Sequence, residues 1–363
     1  MQLIISDETL RDGEQQVGVN FSINDKFKIA EKLSKCGVNQ IAIMPAISKY
    51  EEKLAKKLLC SNFKEKIFAS TMLDKKFVDH SYKLGFRRII LFTSLSDRLL
   101  KTKGIEKNQN LIKALLVCRY AKEKKIKIFF AGEDATRADL NYVVKFIKKI
   151  EKYIEGFILC DTVGILTPVK TKKFINKIKS KTSCNLGIHF HNDRGLANKN
   201  SLIALQNGIN ILSATTGGIG ERAGNADFCE ILPKLENQGV AKSKKCINLL
   251  KIRELVYALG GAKPAKPYSA KAFWHESGIH VNSLMKDPLS YNSFLPERFK
   301  KKNRIFYGKF SGVSNYKFLF GNKYDDKQLV KIRDKVKDLS YKNKRSYSAR
   351  EIKGLLKKKV LAV

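Results

Sequence analysis

Through the first 240 residues, short apolar runs rich in β-branched side chains alternate with longer stretches in which apolar residues recur every three to four positions. The short runs are Leu3–Ser6, Gln40–Ile43, Lys66–Ser70, Arg88–Phe92, Lys127–Ala131, Gly156–Cys160, Leu186–His189 and Ile209–Ala214. Helical periodicity marks Ile23–Cys36, Asn108–Lys124, Leu140–Ile150 and Thr171–Ser180 between them. This alternation is the pattern of a parallel sheet wrapped by helices. Eight such units predict an α/β fold of the closed (β/α)8 TIM-barrel type, since an open doubly wound sheet usually has about six.

Beyond residue 240 the alternation stops. Lys263-Pro264-Ala265-Lys266-Pro267 reads as a linker, and the last forty or so residues are lysine-rich with a helical texture. The expected organisation is a barrel over 1–240, a linker and lid over 241–320, and a helical segment over 321–363, together a small C-terminal α-rich appendage.

Composition narrows the function. The chain has 363 residues and a formal charge of +37, with lysines spread over nearly every predicted helix and no RNP, KH or zinc-finger signature. Solvated helix faces explain that charge better than nucleic-acid binding, and its field favours an anionic substrate. Seven dispersed cysteines, at 36, 60, 118, 160, 184, 229 and 246, form no CxxC pair and read as reduced thiols. No run reaches the ~18 apolar residues of a membrane span. The N-terminus has no secretory pattern, so a cytoplasmic enzyme is expected.

The polar residues concentrate just after strands. Asp7 to Gln15 follow strand 1, Glu133-Asp134 strand 5, Asp161-Thr162 strand 6, His189-Phe190-His191-Asn192-Asp193 strand 7, and Thr215 to Arg222 strand 8. Barrel enzymes place their chemistry on that face. Residues i and i+2 of a strand share a side, so His189 and His191 can meet one ion, and Asp12 at the end of strand 1 adds a carboxylate. Two imidazoles and a carboxylate with open positions make a catalytic metal site. Arg11 suits an oxyanion, or else forms a structural ion pair with Asp7, Glu8 or Glu133. The Glu133-Asp134 pair either orients Arg11, relays a proton or serves as an ion-pair partner. Asn225, in a glycine-dense loop that fails the dinucleotide fingerprint, either offers the metal a neutral oxygen or caps a helix. His275 and His280 lie beyond the barrel, so a general base there requires the appendage to fold over the mouth. His80 sits in a predicted helix without a role.

The strings Thr9-Leu10-Arg11-Asp12-Gly13-Glu14-Gln15, Gly132-Glu133-Asp134-Ala135-Thr136-Arg137, Asp161-Thr162-Val163-Gly164, His189-Phe190-His191-Asn192-Asp193 and Gly218 to Asn225 closely resemble the acyl-CoA-condensing barrel family. That family comprises homocitrate, 2-isopropylmalate and citramalate synthases and, more distantly, hydroxymethylglutaryl-CoA lyase. The resemblance runs from about residue 3 to 320. It implies that a metal-bound 2-oxo acid is attacked by the enolate of acetyl-CoA, with hydrolysis of the thioester. It further implies a divalent metal (Mg, Mn or Zn) on Asp12, His189, His191 and Asn225, catalytic roles for Arg11, Glu133, His280 and Tyr291, and substrate contacts from Gln15, Thr162, Asn192, Gly218 and Glu221. His280 is expected across a swapped homodimer interface.

Gly220-Glu221-Arg222 stands where the lyases carry a cysteine-containing loop, which favours a synthase. The chain stops after the short appendage, so no regulatory domain is expected. The texture around Ala131-Gly132-Glu133-Asp134 and Gly278-Ile279-His280-Val281 is most similar to nitrogen-fixation-type homocitrate synthases, implying 2-oxoglutarate. Departures stand beside this: Met44 follows strand 2 where the family has a nearby glutamate, Leu99 replaces a histidine after strand 4, and Phe310 replaces the histidine of Gly-Lys-His-Ser-Gly. Ala42, Leu99 and Phe129 are expected to size the oxo-acid pocket. Isopropylmalate or citramalate synthesis, a substrate-shifted paralogue, and a non-enzymatic basic binding protein are the alternatives.

Overall fold

The computed structural model describes residues 3–237, 249–358 and 360–361. Cys246 and the expected barrel boundary at residue 240 lie outside them. Eight parallel strands close into a barrel in sequence order: β1 Ile4–Asp7, β2 Gln40–Ile43, β3 Ile67–Met72, β4 Arg88–Ser94, β5 Lys127–Glu133, β6 Gly156–Asp161, β7 Leu186–Phe190 and β8 Ile211–Ala214. Closure is between β1 and β8, in register from Ile4 with Ile211 to Asp7 with Ala214. Apolar side chains on the outer faces of the strands pack against the surrounding helices in one large core. A smaller core of Ala42, Phe68, Ile90, Phe129, Ile158, Cys160 and Ile211 fills the inside. Gly187 makes room for it, because a Cβ there would stand 2.8 Å from Ile211 Cβ.

After the barrel, helix Leu249–Gly260 returns against helix Ile23–Ser34, and the chain then crosses the mouth. Three short strands, Trp274–His275, Arg304–Tyr307 and Tyr347–Ser348, form a separate sheet with Arg304–Tyr307 in the middle. Helices Gly278–Leu284, Val313–Phe320, Asp326–Asn343 and Ala349–Lys357 complete the appendage. Tyr307 and Tyr316 share one core with Leu329, Ile332, Val336, Tyr347 and Ile352. That core spans the division expected at residue 320, so the lid and the lysine-rich end form one packed unit. Among the described residues no helix is long and apolar enough to cross a membrane.

Two sets of contacts fasten the appendage over the strand ends of its own barrel. The first is peripheral: Arg137 donates to the Leu289 and Ser290 carbonyls at 2.7 and 2.6 Å, and Lys286 Nζ donates to Thr102 O at 2.6 Å. The second is buried and ionic. Lys309 Nζ lies 2.6 Å from Glu14 Oε1 and donates to Phe21 O, while Lys26 bridges Glu14 and Glu51. Tyr341, on the long helix Asp326–Asn343, donates to Glu51 Oε1 at 2.9 Å. Charges so deeply buried persist only when each is paired.

Candidate active site and metal centre

The strand period delivers both imidazoles. His189 inside β7 and His191 just past its end put their Nε2 atoms 3.3 Å apart, and Asp12 Oδ2 lies 3.7 and 3.9 Å from them. These three are the group among the described residues that could hold a metal ion. One ion bonded to each donor at ~2.1 Å would set the donors roughly 3.0–3.4 Å apart, so the cluster is slightly expanded but fits.

Local hydrogen bonding prepares the donors. Ser213 Oγ donates to Glu8 Oε1 at 3.5 Å, which leaves it to accept from His189 Nδ1–H at 3.1 Å and turns the Nε2 lone pair toward the cluster. Burial drives both imidazoles below their ordinary value and keeps them neutral, as ligation requires. Burial opposes the Asp12 carboxylate, but the Arg11 cation, with the Asn225 amide hydrogen bond, holds it well below the usual range. Asn225 Nδ2 donates to Asp12 Oδ2 and to Ile219 O, leaving Asn225 Oδ1 buried without a partner, and His191 Nδ1 is equally unpartnered. That amide oxygen is thereby left able to serve as a neutral donor, the part expected for it. The loop can come this close because Gly220 has φ +155 and no Cβ, which would stand 2.1 Å from Asn225 Nδ2.

Arg11 Nε donates to Glu8 Oε2 at 2.7 Å, so Glu8, not Glu133, orients the guanidinium. Glu133 instead receives Lys103 Nζ at 2.6 Å and hydrogen bonds from Ser94 Oγ and Tyr291 OH. Burial works against its charge, yet Lys103 and these donors pull it down to about 2. The short helix Asp97–Lys103, capped by Ser96 at its start and by Gly104 at φ +66 at its end, aims Lys103 inward.

From the lid, His280 Nε2 meets Glu221 Oε2 at 2.9 Å and stacks on Tyr291 with ring centroids 3.6 Å apart. Burial, reinforced by Arg222, lowers His280 to about 3, and burial next to Asp12 raises Glu221 well above its ordinary value. Burial thus disfavours the charged form of each partner. Within one chain, the lid carries His280 to the mouth of its own barrel.

A cavity of about 100 Å³ joins these groups. Of the five residues expected to contact substrate, Gln15, Thr162 and Glu221 line it, whereas Asn192 and Gly218 do not. Asn192 Oδ1 accepts from Ala197 N at the start of helix Ala197–Gln206, and Gly218 O accepts from Asn225 N, so both hold loops in place. The expected sizing residues also lie elsewhere. Ala42 and Phe129 sit one layer deeper in the barrel, and Leu99 packs beneath the lid with Leu284 and Tyr291. The pocket floor is instead Met44, Ser70, Ile90, Phe92, Ala131 and Cys160. His275 stays in the lid beside Asn303, and His80 is partly exposed beside Glu52.

Sequence reasoning missed Lys103 and the floor. One lysine among 71 basic residues carries no signal until the helix that aims it is known.

Comparison with known proteins follows the same lines. Residues 2–256 match the HMGL-like family and residues 268–344 the homocitrate synthase post-HMGL domain-like family. The chain is 34% identical over 349 residues to (R)-citramalate synthase CimA of Methanocaldococcus jannaschii, covering 93% of this chain and 71% of that protein. It is 34% identical to 2-isopropylmalate synthase of Sulfurisphaera tokodaii, covering 93% and 90%. It is 31% identical to homocitrate synthase AksA of Methanosarcina mazei, covering 98% and 90%. Among solved structures, HMG-CoA lyase of Bacillus subtilis superposes with a TM-score of 0.65 at 20% identity, over 72% of this chain and 95% of that one.

Proposed function

The chain belongs to the family of acetyl-CoA-condensing 2-oxo acid synthases, and from that premise we propose that its oxo acid carries a small apolar side chain, giving a product of the citramalate or isopropylmalate kind. The observation that carries this reading is the pocket floor. Met44, Ile90, Phe92, Ala131 and Cys160 offer no charge, and Arg11, the one Lys or Arg in the lining, is engaged by Glu8. A second carboxylate, as in the 2-oxoglutarate expected from local texture, would be desolvated there without a partner.

A divalent ion on Asp12, His189, His191 and Asn225 would act as a Lewis acid toward the ketone. The chain's own groups account for the remaining chemistry. Neutral His280, pinned by Glu221 and Tyr291, takes a proton from the acetyl methyl group. The resulting enolate carbon bonds to C2 of the oxo acid, and Arg11 faces the oxygen on which negative charge collects. Water then cleaves the thioester to give the dicarboxylic acid and CoA. Glu133 holds Tyr291, and so His280, at the correct depth. A wider cleft running from the pocket past Lys103 to Arg333 and Lys337 gives the acyl thioester a basic approach.

Thiol release from acetyl-CoA with pyruvate, 2-oxoisovalerate and 2-oxoglutarate tests the proposal. Turnover with pyruvate or 2-oxoisovalerate is expected, with 2-oxoglutarate weaker by about a hundredfold, the effect of one poorly solvated charge. A preference for 2-oxoglutarate would overturn the side-chain assignment, and inactivity with all three would overturn condensation itself.

A further inference from the structure

Glu276 is a carboxylate without a part in the chemistry above. It stands four residues before His280 and is 4% exposed, and it lines neither the site nor the cleft beside it. Ser277, Ile279 and His280, which follow it, do line the site. Among the described residues Glu276 forms no ion pair, so hydrogen bonds alone compensate for its burial.

Those bonds reach two segments far away in sequence. Oε1 accepts from Phe310 N at 3.1 Å, and Oε2 accepts from Ser346 Oγ at 2.5 Å. The Phe310 carbonyl in turn accepts from Gly278 N at 3.0 Å. The backbone of Phe310 thus grips the turn before His280 at two points. Only glycine permits so close an approach, because a Cβ on Gly278 would stand 2.5 Å from Gly312 N and one on Gly308 would stand 2.6 Å from Glu276 Oε1. Lys309, the neighbour of Phe310, reaches the other way to Glu14, two residues past Asp12. Residues 308–312 are therefore a strut, with the Asp12 loop at one end and helix Gly278–Leu284 at the other.

We propose that Glu276 is a positioning residue that sets His280 at its working distance from the metal centre through this strut. The role of His280 rests on the condensing reaction proposed above; the role of Glu276 is an addition to it. An apolar side chain of equal size would fill the same space but hold neither Phe310 N nor Ser346 Oγ.

The full-length protein is assayed with pyruvate or 2-oxoisovalerate, whichever turns over faster. Glu276→Ala should lower kcat by about 10–100-fold, the cost of misplacing a reacting group by roughly 1 Å. The KM for the oxo acid and the Mn(II) affinity should change by less than about threefold, since neither depends on His280. With acetyl-CoA deuterated on its methyl group, the isotope effect on kcat should rise as proton abstraction becomes the slow step. A variant that is merely less stable would lose active protein and leave the isotope effect where it was. Glu276→Gln should recover kcat to within about threefold, because its amide oxygen can accept from Phe310 N while its nitrogen donates to Ser346 Oγ. Glu276→Asp keeps the charge but is one methylene shorter, and should not recover it. Ser346→Ala releases only Oε2 and should show the same rise in isotope effect at a smaller loss, which serves if Glu276→Ala folds poorly.

NMR of isotope-labelled histidine reads the geometry without turnover. The His280 imidazole signal, identified by its loss in His280→Ala, should move in Glu276→Ala and return in Glu276→Gln, while those of His189 and His191 stay in place. Inactivity of the unsubstituted protein would strike the condensing reaction alone, because the His280 signal still reports the strut. An unmoved His280 signal, or an unchanged kcat and isotope effect in Glu276→Ala, would overturn the assignment.

Discussion

Replacing Lys309 by Met removes the ammonium that ties the lid to the loop bearing Asp12. Its Nζ is 2.6 Å from Glu14 Oε1 and also satisfies the Phe21 carbonyl, and its side chain is 1% exposed. Breaking a buried ion pair from one side costs about 3–5 kcal/mol. Here Glu14 keeps Lys26, so the lower end applies, and the Phe21 carbonyl adds about 1 kcal/mol for a lost donor. A loss of roughly 3–4 kcal/mol is expected. Equilibrium urea unfolding would be followed both by circular dichroism, dominated by the barrel, and by emission of Trp274, which lies in the appendage. In the variant the fluorescence transition should precede the dichroism transition as the lid detaches first. The pH dependence follows from Glu14, whose buried carboxyl is nonetheless lowered by Lys26 and Lys309 below its ordinary 4.5. A depressed native pKa contributes stability that is present above 4.5 and disappears as pH falls through the native value, so the variant should have less left to lose on acidification. Coincident transitions with a cost below about 1 kcal/mol would refute the view that charge fastens the lid.

Three further outcomes follow from the site. Gly220→Ala would push a methyl group into Asn225 and toward Asp12, and should weaken Mn(II) binding by about 10–100-fold in calorimetry, while unchanged affinity would remove Asn225 from the metal centre. Lys103→Met withdraws the cation that lowers Glu133, so the acidic limb of the kcat/KM profile should move to higher pH by about 1–3 units, and an unmoved limb would show that Glu133 need not be ionised. Mixing Asp12→Asn chains with His280→Ala chains should restore no activity if each lid serves its own barrel, whereas recovery would reveal exchange between copies.

The barrel was legible because each strand is a dense apolar run and each cluster of polar residues falls at a strand end; only one or two residues at most boundaries differ between the expected and observed strands. That His189 and His191 share a face was readable from the period of two, and Asp12 at the end of strand 1 pointed them toward a common ion. The appendage was not, since Trp274–His275 and Tyr347–Ser348 are too short to show any period and exist as strands only beside Arg304–Tyr307. The floor of the pocket escaped for a different reason. Ala42 and Met44 point to the same side of β2 and its extension, and the sequence does not say which layer of the barrel a ligand reaches. Glu8 was available as one of three partners for Arg11, but choosing it required knowing that the turn after β1 brings the two side chains together.

The ionic fastening of the lid also sets an order of assembly. Its contacts join residues 290 apart at Tyr341 and Glu51 and 295 apart at Lys309 and Glu14. During synthesis from the N-terminus all eight barrel strands have emerged by Ala214, while Lys309 and Tyr341 are still unmade. Until they arrive, Glu14 has Lys26 but not Lys309, and the mouth stands open to water. The ribosome therefore delivers the barrel first and the fastened lid only afterwards, and a message cut short between Asn225 and Tyr341 would carry every candidate metal donor without the Tyr341–Glu51 fastening.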